Sequence, residues 1–182
     1  VTIEAGPDEL FTTVARETDA AAIVTLVNSA YRGTPSRRGW TSEVELIEGP
    51  RIDADGVLTL LRAPDSVILV IRGQQQLNGC LHLEKHAETT HLSLLSVRPA
   101  MQGSLYGRFL LAAAEHYARE HFGARRLDMH VIEQRVELLA WYERRGYTPT
   151  GEVKPFPYHD VRLGAPARDD LRFVVLERRL GP

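Results

Sequence analysis

LLSVRPAMQGSLYGRFLL, residues 94–111, joins an apolar strand end, a proline, two glycines and the start of an amphipathic helix. The strand stops before Pro99, because proline has no N–H to give to a ladder. Gly103 and Gly107 follow, and glycine lets a backbone approach a ligand closely. Beyond them Phe109, Leu110, Ala113, Ala114, Tyr117 and Ala118 form one apolar stripe, which predicts a helix over 108–120. A strand, a glycine-bearing loop and a helix in that order gather unpaired first-turn N–H groups at the positive end of a helix dipole. Such a point attracts phosphate. Arg108 adds a cation there. The loop has neither the Gly-Lys-Ser/Thr of a P-loop nor the three-glycine dinucleotide spacing. Taken alone, the glycines are equally those of an ordinary turn.

Upstream, residues 66–72 hold the run Val67-Ile68-Leu69-Val70-Ile71, which suits a strand buried on both faces. Residues 77–86 and 89–97 read as two more strands, with hairpin turns at 74–76 and 87–88. Earlier still, 10–16 reads as a short strand. Asp19 then offers an N-cap to a helix over 20–31, whose Ile23, Leu26, Val27 and Ala30 recur at helical spacing. Gly33, Pro35, Gly39 and Pro50 break the region 32–50, with a short helical turn predicted over 43–47. Asp53 or Asp55 caps a helix ending near Leu61. Downstream, 126–132 is a strand and 137–145 a short helix, with Arg144 and Arg145 suiting its C-terminal dipole and Gly146 as its stop. Three prolines make 149–157 a predicted loop, and 171–180 is the last strand. The expectation is an α/β fold with an α+β mixed sheet, about six to seven strands flanked by about four helices. Strand and helix alternate only in the second half, which argues against a fully parallel sheet.

The chain has 182 residues, a length that suits one domain over 1–182 with its own core. A formal charge of −2 argues against broad nucleic-acid binding, which needs a basic face. No apolar run approaches the roughly 20 residues of a membrane span. Residues 1–10 carry three acids and no basic side chain, unlike a secretory signal. Cys80 is the single cysteine and makes no internal disulfide, so the expected compartment is cytoplasmic. Seven histidines raise the question of a metal. His82 and His86 share a strand face but lie roughly 13 Å apart, and His116 and His121 sit on different helix faces. No metal site is expected, since zinc wants three or four convergent ligands.

Val97-Arg98-Pro99-Ala100-Met101-Gln102-Gly103-Ser104-Leu105-Tyr106-Gly107-Arg108 resembles the acetyl-CoA motif of the GNAT superfamily of N-acetyltransferases. That motif runs from a valine and a proline to Gln/Arg-x-x-Gly-x-Gly/Ala at a helix start. Leu138-Leu139-Ala140-Trp141-Tyr142-Glu143-Arg144-Arg145-Gly146-Tyr147 is similar to the family's helix that carries a tyrosine, a basic stretch and Gly-Phe/Tyr. The resemblance is specific over residues 94–147. Two positions depart from the pattern: the middle glycine is Leu105, and an asparagine frequent seven residues before the tyrosine is Arg135.

The resemblance implies acetyl-CoA as co-substrate. Its pantetheine arm would pair with the backbone of Leu95, Ser96 and Val97, where two strands splay. Its pyrophosphate would lie on the N–H groups of Gln102, Gly103, Ser104, Leu105, Tyr106, Gly107 and Arg108. Tyr142 would be the general acid for the leaving thiolate, either with its ring in the core or simply as a core aromatic. For the base there are two candidates, His91 and Glu84, with a water chain as the alternative. His91 lies six residues before Val97, and even spacing along a regular strand puts both on one face.

The acceptor would be a small-molecule or amino-acid-like amine, attacking directly through a tetrahedral intermediate. Its pocket would come from Tyr31, Arg32, Trp40, Glu43, Phe156 and Tyr158, with Arg37 and Arg38 nearby. Aromatic walls with a few charges suit a polar ligand. Glu43 would hold an ammonium and the arginines a carboxylate. The same residues would equally pack a loop or form a homodimer contact. A non-catalytic acyl-CoA sensor, kept open by Leu105, and a protein N-terminal or lysine acetyltransferase are the competing readings.

Overall fold

A computed structural model describes residues 10–32, 36, 39–103 and 105–181. In chain order the elements are β1 (Thr12–Val14), α1 (Ala20–Tyr31), β2 (Ile47–Glu48), α2 (Ala54–Arg62), β3 (Ser66–Arg72), β4 (Leu77–His86) and β5 (Thr89–Val97). They continue with α3 (Tyr106–Phe122), β6 (Arg126–Ile132), α4 (Val136–Glu143), β7 (Thr148–Pro155), β8 (Ala165–Pro166) and β9 (Arg172–Arg179). Short 3₁₀ turns stand at Glu17–Asp19, Pro99–Met101 and Val161–Leu163.

Seven strands form one mixed sheet in the order β1-β3-β4-β5-β6-β9-β7. All its pairs are antiparallel except β5 with β6. The predicted bounds of β3, β4, β5 and β6 agree with the structure, because each is an apolar run closed by turn residues. Helix α1 packs Ile23, Leu26 and Val27 on one face of the sheet against Ile68, Val70, Cys80 and Leu94, with Val57 of α2 beside them. Helix α3 packs Phe109, Leu110, Ala113 and Ala114 on the other face against Leu69, Leu81, Leu83 and Val97. A third cluster, Ile47, Ile132, Phe156 and Leu171, lies under the small sheet of β2 and β8.

Several expectations are corrected. Residues 149–157 are not a loop, since most of them belong to β7. β7 is an edge strand paired only with β9, and an edge tolerates proline because its outward N–H needs no partner. Pro149 and Pro155 sit in the ladder, with an irregularity between Pro149 and Val153. The short helical turn expected at 43–47 is present, with Leu46 N and Ile47 N both donating to Glu43 O at 2.8 and 3.0 Å, and it leads into β2. Asp53 is the cap of α2, its Oδ1 accepting from Gly56 N at 2.8 Å. Asp19 does not cap α1 with its side chain. Its carboxylate accepts from Arg16 N at 2.8 Å and from Arg72 at 2.8 and 2.9 Å, which ties the preceding turn to the end of β3.

Candidate active site

β5 and β6 are paired only from Thr89 to His91 and from Arg126 to Asp128. Beyond that β6 stays with β9 and β5 stays with β4, so the sheet splits. A β-bulge marks the split on the β4 side: Cys80 faces Ser96 but His82 faces Ser93, so β5 carries one extra residue. Leu94 in the bulge has φ of +53°, a left-handed backbone that costs a leucine on the order of 1 kcal/mol. The bulge reverses the strand's alternation. His91 pairs with Glu84, two rungs from the His82–Ser93 rung, and Val97 pairs with Gly79. His91 and Val97 therefore face opposite sides, which corrects the even-spacing expectation.

The opening holds a cavity of about 490 Å³, lined by Leu95 and Val97 of β5, Gly103, Leu105 and Gly107 of the loop and helix start, and Leu138, Trp141 and Tyr142 of α4. The two glycines of the loop serve different ends. Gly103 adopts φ of +79° with open space where a side chain would stand. Gly107 leaves room for an indole, since a Cβ there would lie 3.1 Å from Trp141 Cζ2. Leu105 has φ −73° and ψ −14°, an ordinary right-handed conformation. A glycine is not required there, and Leu105 is 52% exposed at the rim of the cavity. Its carbonyl accepts from Phe109 N at 2.9 Å and so starts the helix.

Arg108 and Arg145 both line this cavity. Arg145 stacks on the Trp141 ring at 3.8 Å, donates to Trp141 O at 2.7 Å, and keeps a sealed Nε with no protein partner. Burial lowers its pKa, and the charges of Arg108 and Arg144 lower it further. Two arginines that repel one another across a cavity wall make a place for an anion. Arg145 was read from the sequence only as a helix-end charge.

Gln102 plays a structural part. Its Nε2 donates to Val97 O at 3.1 Å and its Oε1 accepts from Trp40 N at 3.1 Å. The amide thus ties the loop around Gly39 and Trp40 to the end of β5. Trp40 borders the larger cavity with its ring 6.3 Å from that of Trp141. The Gln102 N–H is engaged with Pro99 O at 3.3 Å. Tyr106 packs on the core, and Ser96 turns its hydroxyl back to Leu94 O at 3.0 Å. Ser104, Arg37 and Arg38 lie outside the described residues.

Tyr142 is 5% exposed and borders this cavity and a second, smaller one of about 150 Å³. Its ring packs edge-on to Trp141 and Tyr147. Among the described residues its hydroxyl has no hydrogen-bond partner, and the residue lines both cavities. Burial raises its pKa well above the usual phenol value, with the neighbouring Tyr31 adding to the shift. The group is therefore protonated at neutral pH and able to donate.

The smaller cavity runs between Tyr31, Arg51, His91, Leu95, Tyr142 and Phe156. His91 Nδ1 lies 2.6 Å from Asp128 Oδ1, and its ring centroid is 4.5 Å from that of His130, the two rings tilted at 51°. Burial lowers the His130 pKa to about 4, helped by the charges of His91 and Lys154. For Asp128, burial works against the charge, but the hydrogen bond and charge of His91 outweigh it and hold the carboxyl low. Glu84 lies outside both cavities, and its exposed carboxylate pairs with His86 at 3.6 Å.

Glu43 borders the small cavity but is saturated. Arg32 reaches its Oε2 at 3.2 Å and Arg135 its Oε1 at 2.9 Å, all three side chains being buried. Arg135 also donates to Thr41 Oγ1 at 2.9 Å and lies over the Tyr31 ring. Phe156 closes the floor with Ile132 and Leu171. Tyr158 lines neither cavity; the residue is exposed and its hydroxyl accepts from Leu171 N at 2.6 Å. Arg51, Arg135 and His130 are cavity residues that sequence reading missed: Arg51 and His130 lie far from Tyr142 in the chain, and Arg135, though it precedes α4, meets Glu43 and Tyr31 only through the fold.

The sequence profile of the Acetyltransferase (GNAT) family matches residues 20–147. No curated protein is matched. Among solved structures, YncA from Salmonella typhimurium with its cofactor acetyl-CoA superposes with a TM-score of 0.69 at 20% identity, covering 96% of each chain. A Desulfovibrio desulfuricans protein assigned to the GNAT family gives 0.68 at 19% identity, over 94% of this chain and 99% of that one. Spermidine/spermine N-acetyltransferase SpeG from Vibrio cholerae gives 0.65 at 17% identity, over 94% and 92%. These identities speak for the fold, and the profile match speaks for descent. The parted strands, the glycine loop before α3 and the tyrosine of α4 belong to a chain that is a member of the GNAT acetyltransferase family.

Proposed function

We propose that residues 1–182 work as one N-acetyltransferase domain that moves the acetyl group of acetyl-CoA to a small amine. The observation that carries this reading is the meeting of the two cavities at Tyr142, one beside the phosphate-type loop and one beside His91. The residues suit an acyl-CoA. The parted edge of β5 offers backbone groups that no strand on that side claims, and Leu95, Val97, Leu138 and Trp141 give a thioester arm apolar walls. Arg108, Arg145 and the N–H groups at the start of α3 suit a diphosphate.

When bound, acetyl-CoA supplies a thioester whose acyl carbon takes the amine nitrogen as the C–N bond forms and the C–S bond breaks. Tyr142 donates its proton to the departing sulfur and recovers one from the acylated nitrogen, which must shed a proton to become the amide. His91, oriented by Asp128, takes the proton that the ammonium must lose before attack. A backbone N–H of parted β5 is the suited donor to the carbonyl oxygen as charge develops there. Glu84 has no place in this arrangement. Leu105 no longer favours a non-catalytic sensor, because its backbone conformation is the ordinary one. The small cavity, about 150 Å³, favours a small acceptor over a polypeptide. Cys80, buried with its thiol pushed up to about 12, makes no disulfide and suits the cytoplasm.

Two measurements test the proposal: calorimetric titration with acetyl-CoA, and thiol release with a panel of primary amines. Micromolar binding and amine-dependent thiol release are expected. Absence of binding at millimolar coenzyme A would sink the assignment.

A further inference from the structure

Arg51 stands on a rigid mount. Asn28 Oδ1 accepts from Arg51 N at 2.6 Å and from Ile52 N at 3.3 Å, and Asn28 Nδ2 donates to Ile52 O at 2.9 Å. Arg32, itself buried, donates to Pro50 O at 2.9 Å and to Gly49 O at 3.4 Å. The backbone on both sides of Arg51 is therefore fixed by α1 and by the residue that follows it. The side chain is not. Its guanidinium lies 5.6 Å from the Tyr31 ring centroid, in the wall of the small cavity, and among the described residues it has no hydrogen bond or ion pair.

The local charge balance is positive. Among the described residues that line the cavity the carboxylate is Glu43, and it is shared by Arg32 and Arg135, so the buried trio carries a net positive charge before Arg51 is counted; Asp128, behind His91, is engaged with that ring. An arginine held firmly at its backbone, half-buried against an aromatic ring and left without a counter-ion, is arranged to receive an anion. A planar guanidinium suits a carboxylate best, through two parallel hydrogen bonds. His91 and Tyr142 border the same small space. A ligand whose anion meets Arg51 and whose amine meets those two groups is short.

We infer that the acceptor is a compact amino carboxylate, such as an α-amino acid, with its carboxylate held by Arg51. This rests on the transferase reading and adds the substrate class. The wild-type protein is assayed for thiol release with a panel of L-α-amino acids, each beside its carboxamide, which keeps the amine and deletes the anion. The acids should exceed their carboxamides by about tenfold or more in kcat/KM, the scale of a charged hydrogen-bonded contact. Arg51→Gln should erase that preference by raising KM for the acids with kcat nearly unchanged, and Arg51→Lys should restore part of it. An unchanged thermal shift with acetyl-CoA verifies that the variants are folded. Carboxamides that perform as well as acids, or a preference that survives in Arg51→Gln, overturn the inference while the transferase reading stands. If no amine turns over, titration with the amino acids themselves decides. Binding lost in Arg51→Gln supports the anion site although the transferase reading fails, and no binding to the wild type overturns it.

Discussion

Arg135 Nη1 lies 2.9 Å from Glu43 Oε1, joining the residue before α4 to a loop 92 positions earlier. With Arg32 on the other oxygen, the pair fixes the wall shared by the two cavities. Removing the carboxylate would leave two guanidinium groups buried side by side. Glu43→Ala is expected to cost about 3–5 kcal/mol of stability, read as a fall in the urea midpoint at constant slope. A loss below about 1 kcal/mol would mean that the trio is far better hydrated than its burial indicates.

Tyr142→Phe removes a hydroxyl that bonds to none of the described residues and keeps the packed ring. We expect kcat to fall about a hundredfold or more, the scale of general acid catalysis, with acetyl-CoA affinity by calorimetry within about threefold. Undiminished kcat would strip Tyr142 of its role as acid.

Asp128→Asn keeps a hydrogen-bonding group beside His91 Nδ1 but removes the charge that orients and supports the imidazole. kcat/KM should fall about tenfold to a hundredfold at neutral pH and recover in part at higher pH, where more amine is neutral. An identical pH–rate profile in the variant would dissociate this pair from the chemistry.

Gly107→Ala is expected to weaken acetyl-CoA binding about tenfold, because the new methyl meets the Trp141 ring that walls the cavity. Gly103→Ala differs: it meets open space but must adopt φ of +79°, at a cost of about 1–2 kcal/mol. Thermal melts and titrations of the two variants separate the effects. Equal, wild-type affinity in Gly107→Ala would contradict the packing seen at Trp141.

His82 is buried between Ser66 and Ser93, bonded to each hydroxyl at 2.8 Å. Burial lowers its pKa from 6.5 to about 4, with the charge of His91 adding to the shift. The unfolded chain binds a proton that the folded chain refuses, so stability rises with pH through that window. It is complete above about pH 6.5 and lost on acidification toward pH 4. The contribution is on the order of 3 kcal/mol. Denaturation at pH 7 and pH 4.5 should show a smaller loss in His82→Gln than in the wild type; equal losses would refute it.

Much of the fold is legible in the chain. β3 to β6 and α3 declare themselves by apolar period and flanking turns, and the loop 102–108 by its place between strand and helix. β7 did not, because its prolines are acceptable only at a sheet edge, and edge position is a property of the whole sheet. β2 and β8 are two residues each, too short for any period. The bulge at Leu94 was equally hidden. Nothing in the local pattern marks one extra residue, yet it moves His91 to the face opposite Val97.

For the site, the sequence alone determined the local pieces: a loop fit for phosphate, a tyrosine on a short helix, a histidine on the strand before the loop. Each depends on neighbours within a few residues, where period and steric rules act. Only the tertiary structure decided which groups share a space and which are already spent. It closed Glu43 with two arginines, turned Gln102 into a tie for the Trp40 loop, and left Arg51 without a counter-ion among the described residues. Charges meet through space, and a chain read in one dimension does not show which of them have been neutralised.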